Sequence, residues 1–79
     1  MPSVYFPNVP EYQPLIKAIS GQGNVQRREA GGYVAFTTSK EICIRRADTG
    51  LIEAVWFGAL VGGFEGRVVK FDEQELRIA

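Results

Sequence analysis

The sequence contains no histidine and only one cysteine, Cys43. Without imidazole it lacks the usual general base near neutral pH, the commonest metal ligand, and both the Ser-His and Cys-His nucleophile pairs. A single thiol can neither close an intrachain disulfide nor fill a thiolate metal site. We therefore expect no metal and no cofactor, and the sequence favours a protein without catalytic activity.

The chain also lacks an excess of charge of either sign, because nine Lys and Arg residues balance nine Asp and Glu residues. Affinity for nucleic acid depends largely on neutralising phosphates, so a net charge of zero disfavours that partner. A protein near its isoelectric point repels its own copies weakly, and this is compatible with self-association.

No segment of the sequence is typical of a targeting or membrane-spanning element. The start, MPSVYFPNVP, has no basic region followed by an apolar stretch, as a signal peptide would. The longest apolar run, from Leu51 to Phe64, is shorter than the roughly 20 residues that a spanning helix needs. With one unpaired cysteine, a soluble protein in the reducing cytoplasm is the simplest interpretation, with no membrane partner.

The length of 79 residues accommodates one domain, residues 1–79, with a thin core. Residues 1–10 contain Pro2, Pro7 and Pro10, which predict an extended arm or an edge strand because proline has no backbone donor. From Glu11 to Ser20 an apolar stripe of Leu15, Ile16 and Ile19 predicts a short helix.

The rest of the chain is rich in β-branched and aromatic segments separated by turn residues. The apolar run is ambiguous: a strand through Phe57 is favoured, whereas a helix would place on one face Ile52, Val55, Trp56, Ala59 and Leu60. Residues 58–63 fit a strand, a bulge or a helical turn. The predicted strands cover residues 33–38, 41–46, 51–57, 66–71 and 75–78, in consecutive antiparallel order.

These elements predict an α+β fold, with one short N-terminal helix followed by a five- or six-stranded antiparallel meander. Five strands span roughly 24 Å, whereas one helix with its side chains is about 10 Å wide. The helix cannot cover the sheet, so the sheet is either flat and dimerised or curled into a partial barrel. Alternation assigns to the core face Val34 with Phe36, Ile42 with Ile44, Val69 with Phe71, and Leu76 with Ile78.

Uncovered apolar surface makes a small interaction protein our first hypothesis, either a homodimer or an accessory subunit of a larger assembly. Its partner would be a protein, in the first place a second copy of the chain. Aromatic residues are typical anchors of such contacts. The contact residues expected from the sequence, for a protein or a ligand, are Tyr33, Cys43, Trp56 and Phe57.

Two alternatives belong to other functional classes. One is a ligand-binding protein or minor enzyme with a pocket between helix and sheet, in which Trp56 lines the pocket, Glu53 is the acid or base, and Arg45 and Arg46 contact an anionic small molecule. The other, less favoured, is a single-strand nucleic-acid binder that uses the doublets Arg27-Arg28 and Arg45-Arg46.

Overall fold

A computed structural model describes residues 1–79 and has an α+β architecture, as the sequence predicts. A 3-10 turn at Pro10–Tyr12 precedes the first helix. The helices are α1 (Gln13–Ser20), α2 (Arg46–Thr49) and α3 (Glu53–Trp56). The strands are β1 (Ser3–Pro7), β2 (Val25–Ala30), β3 (Tyr33–Thr38), β4 (Ile42–Arg45), β5 (Phe64–Glu65), β6 (Val68–Phe71) and β7 (Glu75–Ile78).

The strands form two antiparallel sheets, not one meander and not a closed barrel. The first sheet has the order β2-β3-β1-β5, and the second has the order β4-β7-β6. The predicted pairing of β3 with β4 is wrong, since β3 pairs with β1 and β2 whereas β4 pairs with β7. Ser39 and Lys40 therefore connect two sheets rather than two strands of one hairpin.

The N-terminal residues form an interior strand rather than an arm or an edge. Strand β1 pairs with β3 along its whole length and with β5 at Ser3 and Val4. Pro2 lies outside the strand and Pro7 is its last residue, so neither removes a donor from its middle. Val4 and Phe6 are completely buried.

Helix α1 confirms the predicted helix and its apolar stripe. With the preceding 3-10 turn it covers residues 10–20, and Pro14 lies in the first turn, where its missing donor does no harm. Leu15, Ile16 and Ile19 are at most 2% exposed. A helix of this length is held by its packing, because short helices are marginal in water on their own.

The strand predicted for residues 51–57 is wrong, and the helical alternative describes most of this region. Gly50 ends α2 in the left-handed conformation, with φ 71°, and turns the chain into α3. Backbone bonds from i to i+3 then continue the turns through Gly63. Trp56 and Ala59 enter the core, and Val55 and Leu60 pack against it. Ile52, expected on the same face, is instead 67% exposed, because it lies before α3 as its extended N-cap residue.

The core combines side chains from both sheets, α1 and α3 in one cluster. The predicted core positions of β3, β4 and β7 are confirmed, since each of these side chains is at most 2% exposed. Val69 is an exception, at 46% exposed. A bulge between Val68 and Lys70 shifts the alternation of β6, so Val68 rather than Val69 shares the core side with Phe71.

Candidate functional site

The core reaches the surface where the two sheets border each other. Strands β5 and β6 are edge strands of different sheets, and they are consecutive in the chain. Gly66 joins them with φ 120°, and a Cβ there would lie 2.5 Å from the carbonyl oxygen of Ala79 and 3.2 Å from Pro2 Cβ. Only glycine fits this crossing, which brings the two edges together.

Four apolar side chains lie along this border, and we call them the seam: Phe57, Phe64, Val68 and Phe71. Register places the strand members on the core side, because Phe64 lies opposite Val4, Val68 opposite Ile78 and Phe71 opposite Leu76. The partner residues are fully buried, whereas Phe57 is 48% and Phe64 40% exposed. The ring centroids of Phe57 and Phe71 are 5.5 Å apart. The seam is thus an uncovered extension of the core.

Trp56 lies beneath the seam, on its core side. Its ring packs edge-on against Phe71, with centroids 5.8 Å apart, and its indole N–H donates to the carbonyl oxygen of Asp72. The side chain is 0% exposed. Of the four contact residues expected from the sequence, Trp56 is therefore enclosed within one protomer and offers no direct contact to a partner.

The other expected contact residues lie apart from one another. Phe57 belongs to the seam. Tyr33 is 41% exposed on the outer face of the first sheet, opposite Pro7 and beside Gly62. Cys43 is on the outer face of the second sheet, opposite Arg77.

Cys43 belongs to a network of charged side chains rather than to an apolar surface. Its thiol donates to Oε2 of Glu75 at 3.1 Å, and burial together with this hydrogen bond raises the pKa of the thiol. Hydrogen bonds from Cys43 and Arg77 lower the pKa of Glu75, whose other oxygen lies 3.3 Å from Lys70 Nζ. The raised pKa favours the thiol over the thiolate, although Arg77 lies beside it as a cationic neighbour.

Arg77 also links this network to Glu41, the residue before β4. Its Nε lies 3.1 Å from Oε1 of Glu41, an ion pair whose geometry leaves the Nε hydrogen without an acceptor. Register aligns Cys43, Arg77 and Lys70 across the sheet. The outer face of the second sheet is therefore polar and internally neutralised.

An open groove of about 740 Å³ lies between the α2–α3 connection and the β6–β7 turn. Both predicted anion contacts, Arg45 and Arg46, line it, together with Leu51, Ile52, Glu73 and Glu75. The pocket expected from the sequence is not assembled as predicted. Glu53 and Trp56 do not line this groove, so it lacks the predicted acid or base and its aromatic wall.

The two arginine doublets do not form one basic track. Arg27 and Arg28 are successive residues of β2, so they point to opposite faces of the first sheet. Arg45 and Arg46 end β4 and begin α2 beside the second sheet. Arg27 is paired with Glu29 at 3.5 Å, and Arg45 lies 4.0 Å from Asp48. A continuous phosphate-binding surface does not result from this arrangement.

The contact residues expected from the sequence do not include Phe64, Val68 or Phe71. The run Val68-Val69-Lys70-Phe71 signals a strand, but it contains no sign of the bulge that exchanges Val68 and Val69. Two edges meet here through long-range pairing of β5 with β1 and of β6 with β7. The short segment Phe64-Glu65 gives no strand signal of its own.

Comparisons with known proteins identify no relative: no protein-family model and no curated protein matches the sequence. None of the three helices is long and apolar enough to cross a membrane. No group of three or more Cys, Asp or Glu side chains is placed to hold a metal ion.

Proposed function

We propose that this protein is a small interaction module that forms a homodimer through the seam. The observation that carries the proposal is the position of Phe57, Phe64, Val68 and Phe71, which continue the core to an unpaired border between two sheets. Exposed apolar surface of this kind is typical of contact sites. Burying it would extend a thin core at little conformational cost, since Phe57 and Phe71 already pack together.

A second copy fits the seam better than a charged partner. The chain has no net charge, so two copies do not repel each other over long range. Glu65 and Arg67 flank the crossing at Gly66 with opposite charges, and Arg67 makes no ion pair within the protomer. A twofold axis near Gly66 would bring each of these charges towards the opposite charge of the other copy.

The proposed contact is made by side chains rather than by adding a strand to β6. The bulge between Val68 and Lys70 interrupts the edge, and Lys70 places a charge on it. Both features oppose pairing with a further strand. The apolar side chains on the core side of β6 remain accessible, so packing of seam against seam is the favoured geometry.

The required area sets how far the contact must extend. A stable interface buries about 800 Å² on each partner, roughly a sixth of the 4595 Å² that this protomer exposes. Four side chains supply only part of that area. The contact must therefore include further exposed residues, and Val61, 73% exposed and three residues before Phe64 in the chain, is an apolar candidate.

Sedimentation velocity over a range of concentrations tests the proposal. We expect the wild type to sediment as a dimer at tens of micromolar, and Phe57→Ser to weaken the dimer at least tenfold, as loss of a buried aromatic anchor does. Ile52→Ser is the matched control, because Ile52 is 67% exposed outside the seam. A monomer at all concentrations would overturn the proposal, as would equal weakening by both variants.

A further inference from the structure

The groove beside α2 contains an arginine that is held in place without a counter-charge. The Nε of Arg46 donates to the carbonyl oxygen of Glu73, and Nη1 donates to that of Leu51 at 3.1 Å. The backbone N–H of Arg46 also donates to Gln74 at 2.8 Å. These bonds fix the half-buried guanidinium between the two walls of the groove.

The charge on Arg46 is not neutralised within the protomer. Arg46 takes part in none of the six ion pairs, and its Nη2 makes no hydrogen bond. Its neighbour Arg45 has only a 4.0 Å pair with Asp48. Lys70, by contrast, already contacts two carboxylates. A guanidinium never loses its proton near neutral pH, so Arg46 presents a permanent, oriented donor to the groove.

The surroundings of Arg46 restrict which anions fit. Glu73 also lines the groove and takes part in none of the six ion pairs, so a multiply charged phosphate would meet an uncompensated negative charge there. Leu51 and Ile52 form an apolar wall, and Ile52 is 67% exposed. A singly charged planar group with an apolar tail meets both conditions, and guanidinium and carboxylate match each other in shape.

We infer that this groove binds a monocarboxylate with a short aliphatic chain, its carboxylate at Arg46 and its chain on Ile52. This site is independent of the proposed dimer. Lys70 faces the groove side of β6, whereas Val68 and Phe71 face the seam. A protein that fails to dimerise can therefore still bind the carboxylate, and the reverse also holds.

An NMR titration of the full chain with hexanoate tests the inference. Hexanoate should shift the Arg46 Nε–H resonance and the Trp56 indole resonance, since the Trp56 N–H is bonded to Asp72 at the start of the β6–β7 turn. Hexanol, with the same chain and no charge, and inorganic phosphate should bind at least tenfold more weakly. Equal shifts with hexanol or phosphate, or none with hexanoate, would overturn the inference.

Three variants locate the site, with Lys40→Gln as a distant control that keeps the wild-type affinity. Arg46→Gln should weaken hexanoate binding about tenfold or more, the effect of one charge-assisted hydrogen bond. Ile52→Ala should weaken it roughly threefold. Glu73→Gln should strengthen it roughly twofold by removing a nearby negative charge.

If Arg46→Gln does not fold, the other two variants still test the site. Glu73 and Ile52 are both exposed, so replacing them should leave the fold intact, and the two changes should shift the affinity in opposite directions. Ile52→Ala and Glu73→Gln then decide the outcome. Tighter binding by Glu73→Gln together with weaker binding by Ile52→Ala would support the site. Unchanged affinity in both variants would contradict it.

Discussion

The core of this protein is covered by α1 on one side and is exposed to solvent at the seam on the other. Beside α1, Leu15, Ile19 and Phe36 are completely buried. At the seam, Phe57 and Phe64 remain 48% and 40% exposed although their neighbours belong to the same core. A helix about 10 Å wide covers one end of two sheets and cannot reach the border at β5 and β6. The same apolar cluster that holds the fold together on the α1 side is thus left exposed at the seam, where the proposed dimer would bury it.

The largest effect should be a difference in stability between two truncated variants, one with a side chain shortened beside α1 and one with a side chain shortened at the seam. Leu15→Ala should lower the free energy of unfolding by about 2–5 kcal/mol, because it leaves a cavity under α1. Val68→Ala, at a seam position 36% exposed, should cost less than about 1 kcal/mol in the monomer. Urea denaturation at low protein concentration measures both. Equal costs would mean that the seam is as well packed as the helix side.

A smaller effect is expected at the crossing between the two sheet edges. Gly66→Ala should destabilise the protein by about 1–3 kcal/mol, since φ is 120° and the new Cβ would meet the Ala79 carbonyl. Gly23→Ala is the matched control, with nothing within 4 Å of its Cβ position. Thermal unfolding followed by circular dichroism compares the two. A neutral Gly66→Ala would mean that the edges do not meet as described.

The β6–β7 turn, whose Asp72 carbonyl accepts the hydrogen bond of the Trp56 indole, should make the stability of the protein depend on pH. Backbone N–H groups of Gln74 and Glu75 hydrogen-bond to Asp72 and lower its pKa below the ordinary 3.8. Because the folded pKa is the lower one, this contribution to stability is present above about pH 4 and is lost as the pH falls through the folded value.

We therefore expect Asp72→Ala to lower the stability at pH 7 and to flatten its decline on acidification. Asp48→Ala, which removes only a 4.0 Å ion pair, should leave the slope unchanged. Urea midpoints between pH 2 and 7 measure the effect. The same slope in the wild type and Asp72→Ala would show that the turn carries no such coupling.

The smallest effect concerns the outer face of the second sheet, which contrasts with the seam because its charges are satisfied internally. Burial and the hydrogen bond to Glu75 raise the pKa of Cys43. Its reaction with a disulfide reagent at pH 8 should therefore be slower than that of the unfolded chain. Glu75→Gln should accelerate the reaction by removing the carboxylate. A rate that is equal in folded and unfolded protein would contradict the network.

Local sequence patterns predicted the helices and strands that depend on residues close together in the chain. The spacing of Leu15, Ile16 and Ile19 defined α1, and alternation identified Leu76 and Ile78 as core residues of β7. Their periods are set by the backbone itself, so a single sequence contains the information. The division into two sheets depends on which distant strands pair, and no local pattern encodes that choice.

The site was predicted only in part, for the same reason. The structure exposes Phe57 and places Arg45 and Arg46 in one groove, whereas contact of Phe57 with a partner and of the arginines with an anion stay predictions. Trp56 was expected at a contact, but α3 turns it inward towards Phe71. A four-residue helix after Gly50 is a tertiary outcome, because the local sequence pattern favours a strand there.

An isotope-filtered NOE experiment on a mixture of labelled and unlabelled protein tests directly whether two copies pack seam against seam. We expect contacts between copies from the Val68 methyl groups to the rings of Phe57 and Phe64. Intermolecular contacts confined to other surfaces, or none at millimolar concentration, would contradict it.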